Sequence, residues 1–410
     1  MVELKHRGVN IKTIAAYTRR GIYKNKLHNY IRKTQQFNVD SMMDLCGIGL
    51  NRKLGRFYET TTSKLLEFLL FRYIILCSIL FVNDKNILKY IKSTKPNLVV
   101  VDHRTMNASY LHKSAVKRFI DIILRRNNNS MNNVLFRILK QARMCGIPIF
   151  MIPHGLQPMS KSSLGVVTNI NNPFRPDYLV ICSKNDVEYC RSLYVNASGL
   201  KDTYILGDAK FDARWMKYVR SCVLDMYDFN DVKDNKILLY FTDVYHYKEK
   251  IEIHKDIISL VNKYDDLEIW ITHHPRHRKL IPIKDFVDDN KLNRVKQILY
   301  ATDSDYLIEK ADICITTISG FFVTSILQKK PSIVYNKWKE YLGPTETIYD
   351  GRKLTVNTKS ELDHMMDKVI DGEWLKTDDI NEFHNRIFSV DADHHMLDDY
   401  VDKMLEKMEA

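Results

Sequence analysis

The sequence predicts an α/β protein of two tandem Rossmann-like domains facing a central cleft. Short apolar runs alternate with helical patterns from about residue 95 onward, which is the signature of parallel sheets assembled from βαβ units. The runs fall into two consecutive sets, so two sheets are expected. At 410 residues the chain is also too long for one comfortable core, and two domains of roughly 150–200 residues are the default.

The first set comprises Asn97-Leu-Val-Val-Val-Asp102, Ile147-Pro-Ile-Phe-Met-Ile-Pro-His-Gly155, Tyr178-Leu-Val-Ile-Cys-Ser183 and Tyr204-Ile-Leu-Gly207, with an amphipathic stretch through Leu139 and Ala142 between the first two. The second set comprises Lys236-Ile-Leu-Leu-Tyr-Phe241, Leu267–Thr272, Ile313–Thr316 and Ser332–Tyr335. The polar, turn-rich Tyr227-Asp-Phe-Asn-Asp-Val-Lys-Asp-Asn235 marks the boundary region between the sets. The expected division is 1–215, 216–375, and a helical segment 376–410 that packs back on the first domain. Arg125-Arg-Asn-Asn-Asn-Ser-Met-Asn-Asn133 reads as a loop or helix break.

With 45% hydrophobic residues, fourteen glycines and ten prolines, the chain is globular and not disordered. Its formal charge of +12 favours an anionic partner. Residues 1–38 concentrate that charge: Lys5, Arg7, Lys12, Arg19, Arg20, Lys24, Lys26, Arg32 and Lys33 stand against Glu3 alone, with apolar residues between them. This is the composition of a basic interfacial helix on an anionic membrane surface; a solvated basic helix or arm is the plainer alternative. Leu65–Val82 is the most hydrophobic stretch, but Glu67 and Arg72 interrupt it, which leaves it short of the ~20 apolar residues a bilayer crossing needs. With no secretory signal pattern at the start, a cytoplasmic location is expected. The seven cysteines form no CxxC pair and read as reduced core residues.

Chemistry concentrates where apolar runs end in polar residues, because ligands of open α/β sheets gather at the carboxyl ends of strands. In Ile152-Pro-His-Gly155, His154 is suited to take a proton from a hydroxyl or to donate to an anion, and Gly155 permits close approach of a ligand. In His273-His-Pro-Arg-His-Arg278, Pro275 sets the turn, which aims His274 at the crevice and leaves Arg276 or Arg278 free to face phosphate. The histidine spacing there lacks partner cysteines or carboxylates for zinc, so no metal site is expected. In Thr316-Thr-Ile-Ser-Gly320, Thr317, Ser319 and Gly320 precede an apolar helical pattern and offer hydroxyl and N–H donors to phosphate. Trp338, Tyr341, Pro344 and Glu346 follow in a loop suited to cover a base or ribose. Asp243 and His246 follow one strand and Asp102, His103 and Arg104 another, where they are weaker candidates. No complete Gly-x-Gly-x-x-Gly or P-loop occurs, which removes the usual support for dehydrogenases and kinase-type NTPases.

The ordered set His154-Gly155, His274-Pro275, Thr317-Ile-Ser-Gly320 and Lys330-Pro331 resembles glycosyltransferases of the two-Rossmann GT-B type. Within that type it looks like bacterial capsule and surface-polysaccharide enzymes of the Kdo-transferase-like kind. A similar layout occurs in bacterial sialyltransferases and in the CDP-glycerol glycerophosphotransferases of teichoic-acid synthesis. The resemblance spans roughly residues 95–350. It implies inverting, metal-independent, cofactor-free transfer from a nucleotide-activated sugar, CMP-linked before CDP-linked, to an oligosaccharide or lipid-linked acceptor. The second domain would hold the donor through His274, Pro275, Arg276, Thr317, Ser319 and Gly320. The first would hold the acceptor through Asp102, His103, Arg104 and Gly155. The sialyltransferase acidic motif is missing, with Thr242-Asp243 nearest to it, so the base stays open between His154 and Asp243. CDP-polyol phosphotransfer, UDP-sugar 2-epimerisation and, from another class, nucleic-acid binding are the alternatives; the last has no motif behind it, and no nucleic acid is expected as partner.

Overall fold

The computed structural model describes residues 13–15, 39–41, 84–102, 130–153, 176–184, 202–226, 235–242, 251–273, 281–298, 304–317, 321–337, 354–391 and 393–409. These form two compact units. Described residues through Leu206, together with Met396–Glu409, make the first, and those from Gly207 to His395 make the second. Apart from 13–15 the basic segment 1–38 lies outside the described residues, as do Leu65–Val82 and most of the Asn-rich stretch.

In the first unit β1 (Thr13–Ala15) and β2 (Val39–Ser41) pair in parallel as a small separate sheet. The main sheet is parallel, with β3 (Val99–Asp102), β4 (Ile149–Ile152), β5 (Tyr178–Ile181) and β6 (Asp202–Ile205) in chain order. Between β3 and β4 runs α2 (Ser130–Met144), which packs on α1 (Asp84–Thr94). Ile87 and Ile91 of α1, one helical turn apart, are buried against Ala142 with Ile138, Val99 and Ile147 around them. Asp84, in the first turn of α1, accepts from Arg137 at 2.6 Å and Lys140 at 3.1 Å. Burial works against its ionisation, but the Lys140 hydrogen bond and the Arg137 charge outweigh that and hold the carboxyl below its ordinary value of 3.8.

The turn from α2 into β4 requires Gly146. Its φ of +72° lets Gly146 N–H reach Arg143 O at 3.0 Å and Ile147 N–H reach Ala142 O at 3.0 Å, a Schellman closure with Ile147 folded onto the apolar cluster. Asp177 then clips β5 to β4 by accepting from Ile149 N–H at 2.8 Å. Phe150, Tyr178 and Tyr204 lie together across β4, β5 and β6, with ring centroids 6.2–6.3 Å apart. The C-terminal helix Met396–Glu409 covers them. Its Met396, Tyr400, Val401 and Met404 are buried, and Lys403 and Lys407 stand over the Tyr204 ring at 5.3 and 6.0 Å.

The second unit opens with α3 (Ala213–Met226), whose first turn is capped by buried Asp212 accepting from Arg214 N–H at 2.9 Å and Trp215 N–H at 3.1 Å. Its six strands are all parallel: β7 (Lys236–Phe241), β8 (Leu267–Thr272), β9 (Val295–Ile298), β10 (Ile313–Thr316), β11 (Ser332–Tyr335) and β12 (Thr355–Val356). The spatial order is β12-β11-β10-β7-β8-β9. Between β7 and β8 lie α4 (Ile251–Ile258) and α5 (Leu260–Lys263); α6 (Ser304–Lys310) precedes β10 and α7 (Phe321–Leu327) precedes β11. After β12 come α8 (Lys359–Ile370) and α9 (Thr377–Phe388).

Helices on both faces explain why β7 reads as an unbroken apolar run. Leu238 and Tyr240 pack among Ile253, Ile257, Leu260 and Met366, whereas Ile237, Leu239 and Phe241 pack among Leu307, Ile308, Ala311 and Cys314. Each fully buried aliphatic side chain contributes ~1.5–3 kcal/mol.

Two placements differ from the sequence-based division. Residues 207–215, expected with the first domain, lie in the second unit, where α3 reaches α6 through Arg220 and Glu309 at 2.7 Å. Helix α9, expected to pack back on the first domain, stays in the second unit because Phe388 packs on Phe211 at 5.3 Å and Phe383 on Phe322 at 6.0 Å. Only the helix from Met396 joins the first unit. Strands β9 and β12 were not anticipated; both are sheet edges, and Val295-Lys-Gln-Ile298 is half polar where a central strand would be largely apolar.

Candidate functional site at the carboxyl edge of the second sheet

From β7 the chain moves outward through β8 to β9, then returns to place β10 on the other side of β7. The crossovers therefore diverge between β7 and β10. At such a topological switch point no connection covers the carboxyl ends, and the crevice left there is where open α/β sheets bind ligands. Register puts Phe241 opposite both Thr316 and Thr272. The next residues, Thr242, His273 and Thr317, thus stand in one row at the sheet's edge, and all three are buried.

Each member of the row is held differently. Thr242 donates to Thr272 O from its N–H at 3.1 Å and its hydroxyl at 3.3 Å. His273 donates its N–H to Ile298 O at 3.3 Å, and its Nε2 lies 3.0 Å from Gln297 Oε1. The hydroxyls of Thr317 and of Thr316 before it are buried with no hydrogen-bond partner. A buried polar group left unpaired costs free energy unless something else satisfies it. Nearby, Phe321 at the start of α7 stacks on Phe241 with centroids 4.5 Å apart and planes 10° from parallel.

The outer end of this edge is committed to structure. Tyr335 donates to Asp256 Oδ2 at 2.6 Å, and Lys337 donates to the same oxygen at 2.8 Å while pairing with Glu252 at 3.2 Å. Burial first, then the bond to Asp256, pushes the Tyr335 phenol well above its ordinary range. Burial opposes the charge on Lys337, but its two acidic partners outweigh it and raise the ammonium's proton affinity. Lys330 serves the fold as well: its ammonium donates to Glu309 O in the last turn of α6 and to Ala311 O just past it, both at 2.9 Å. It precedes β11 and thus belongs to the amino edge, opposite the candidate site.

Of the residues singled out from the sequence, Thr317 falls in the switch-point row and Asp102 ends β3 opposite Ile152. His103, Arg104, His154, Gly155, Asp243, His246, His274, Pro275, Arg276, Ser319 and Gly320 lie outside the described residues. Sequence reasoning assigned no role to Thr242, to the buried His273 or to Gln297. Only strand register identifies the first two as neighbours of Thr317, and Gln297 sits in a strand whose pattern did not announce it. Among the described residues no group of histidine, cysteine or acidic side chains is arranged to hold a metal ion. No helix among them is long and apolar enough to cross a membrane.

No protein-family model matches the sequence. No curated protein matches it significantly either. Its fold does have counterparts among solved structures. MnaA of S. aureus in complex with UDP superposes with a TM-score of 0.50 at 14% identity, covering 98% of both chains. A protein from Listeria monocytogenes assigned as a UDP-N-acetylglucosamine 2-epimerase gives 0.50 at 12% identity, covering 97% of this chain and 95% of its own. A further UDP-N-acetylglucosamine 2-epimerase structure gives 0.53 at 11% identity, covering 97% and 96%. The protein has the two-domain α/β fold of GT-B type.

Proposed function

We propose that this protein is an enzyme acting on a nucleotide-activated sugar, with the nucleotide diphosphate held at the carboxyl edge of the second unit's sheet. The observation that carries this reading is the end-to-end likeness, 97–98% of this chain, to structures described as UDP-N-acetylglucosamine 2-epimerases or as holding UDP. The orphaned Thr317 hydroxyl at the switch point supports it, because a phosphate oxygen is an acceptor that such a donor would satisfy. In this reading His274, Pro275, Arg276, Thr317, Ser319 and Gly320 hold the diphosphate, and proton transfer falls to His154 or Asp243.

Epimerisation of a UDP-linked sugar at C2 is the preferred reaction. Inverting C2 breaks and remakes its C–H bond, so the returning hydrogen comes from solvent when the base exchanges with water. Incubating the protein with UDP-N-acetylglucosamine in D2O and following the sugar by NMR tests this: a second C2 epimer carrying deuterium at C2, formed without any acceptor, is expected. An unchanged substrate at high enzyme concentration rejects it.

A second reading, transfer from a CMP- or CDP-linked donor to an oligosaccharide or lipid-linked acceptor, draws on the charge of residues 1–38, nine cations against one acid, which suits an enzyme held at an anionic membrane surface. Release of CMP, CDP or UDP only when acceptor is present would select it over epimerisation. In either reaction His274→Ala removes turnover and weakens nucleotide binding, while His154→Ala lowers turnover more than binding.

A further inference from the structure

Among the described residues the chain passes from the first unit to the second at Leu206–Gly207 and returns at His395–Met396. Within the second unit one aromatic cluster lies beside both passages. Phe211, just after the first, packs on Phe388, shortly before the second, with ring centroids 5.3 Å apart. His384, one turn earlier on α9, meets Phe388 edge-on at 4.8 Å and is 3% exposed. Its Nδ1 lies 3.2 Å from Val390 O. A carbonyl can only accept, so Nδ1 carries the proton of the neutral ring. Two more bonds fold the same segment back on α9. Ser389 N–H donates to Asn385 O at 2.7 Å from a left-handed φ of +56°, and Asn385 Nδ2 donates to Asp391 Oδ1 at 2.7 Å.

We propose that His384 is an acid-sensitive latch: its neutral ring ties Val390 to α9, and uptake of a second proton releases segment 389–395, by which the chain returns to the C-terminal helix. A charged imidazolium is poorly solvated where water does not reach it, so acid favours the form in which the segment has lifted and the ring is hydrated. The charged groups around the ring come from two sides. Asp212 stands at the head of α3, where it also accepts from the N–H groups of Arg214 and Trp215, and Asp391 and His394 come from the segment beyond α9. Helix α7, which packs on α9 through Phe322 and Phe383, carries no charged side chain. Burial holds the imidazole below its ordinary value of 6.5, outweighing the Val390 bond and the carboxylates of Asp391 and Asp212, which favour the proton. The closed form's advantage is therefore complete above 6.5 and is lost as pH falls from there toward the folded value. A released ring titrating at 6.5 would raise the ratio of open to closed by about tenfold between pH 7.5 and pH 5.5 if the closed ring took up no proton, so about tenfold is the ceiling.

The test is hydrogen exchange of the full chain at pH 7.5 and pH 5.5, read by mass spectrometry and corrected for the intrinsic pH dependence of amide exchange. Peptides covering 389–395 should open severalfold more at pH 5.5, up to that ceiling, while peptides of β7 keep their protection. His384→Asn sets an amide donor where Nδ1 stood and takes up no proton, so its opening should be the same at both pH values. Asp391→Asn keeps an acceptor for Asn385 but removes a charge that favours the imidazolium. It should lower the His384 titration midpoint, followed by NMR of histidine-labelled protein, and enlarge the opening in acid. A merely structural histidine would produce neither pH effect. Opening of 389–395 that is equal at the two pH values in wild type overturns the proposal, as does a His384→Asn protein that still opens in acid. Loss of protection in β7 together with 389–395 means general acid unfolding and overturns it too. If His384→Asn does not fold, a wild-type His384 midpoint at or above 6.5 overturns the latch. No nucleotide or turnover enters these measurements, so the latch stands or falls apart from the nucleotide-sugar reading.

Discussion

Thr317→Val separates the cost of the switch point from its use. Thr317 is 3% exposed and its hydroxyl is unpartnered, and leaving such a group unpaired costs about 1–3 kcal/mol. Valine is close in shape, keeps the β-branch favoured at a strand end, and replaces the hydroxyl by a methyl that gains about 0.8 kcal/mol on burial. The ligand-free variant should therefore be more stable than wild type by about 1–2 kcal/mol. UDP should bind it about tenfold more weakly, because about 1.4 kcal/mol of hydrogen bonding to phosphate is lost. Thr316→Val is the control: it removes an equally buried, equally unpaired hydroxyl from within β10 and should raise stability without touching affinity. Urea unfolding gives the stabilities and calorimetry the affinities. A Thr317→Val protein that is less stable by 1 kcal/mol or more, or that binds UDP as wild type does, refutes the reasoning.

Four other outcomes are expected. Gly146→Ala should cost about 1–2 kcal/mol in urea unfolding, because its φ of +72° is strained for any side chain although an added Cβ meets nothing within 4 Å. Conversely, Lys329→Gly should stabilise by up to about 1 kcal/mol, since Lys329 closes α7 at φ +59° in the position glycine fills elsewhere. Asp84→Asn should cost less than about 1 kcal/mol at pH 7, its ion pairs being partly exposed. The sign follows from its lowered folded value: the contribution is complete above the ordinary 3.8 and disappears as pH falls through the folded value, so the difference between variant and wild type should shrink in unfolding curves as the pH is taken down into that range. Among the described cysteines, exposed Cys145 should be alkylated by iodoacetamide in the native protein, while Cys314, buried with its thiol pushed up to about 12 by desolvation, should react only after unfolding, as peptide mass spectrometry would show.

The central strands were legible because a parallel strand covered on both faces is apolar along most of its length, and β4, β5, β7, β8, β10 and β11 all announce themselves so. Edge strands β9 and β12 escaped for the same reason reversed: each has one neighbour, so Lys296 and Gln297 are tolerated where a central strand would exclude them. The segment 376–410 read as one helical stretch, and sequence offered nothing to say that α9 and the C-terminal helix serve different units. Phe211 and Phe322 decide it for α9, and Phe150, Tyr178 and Tyr204 for the final helix, because a helix goes where its apolar stripe finds a complementary face.

The site divides in the same way. By itself the sequence determined the fold class, the doubled sheet and the stations along the chain where strand gives way to donor-rich residues, since hydrophobic periodicity is a local property. Only the tertiary structure decided that β10 returns beside β7, that Thr242, His273 and Thr317 thereby share one row, and that His273 is buried and bound to Gln297. Strand order and register are set by how side chains from distant segments pack across the sheet, and no single stretch of sequence contains that information.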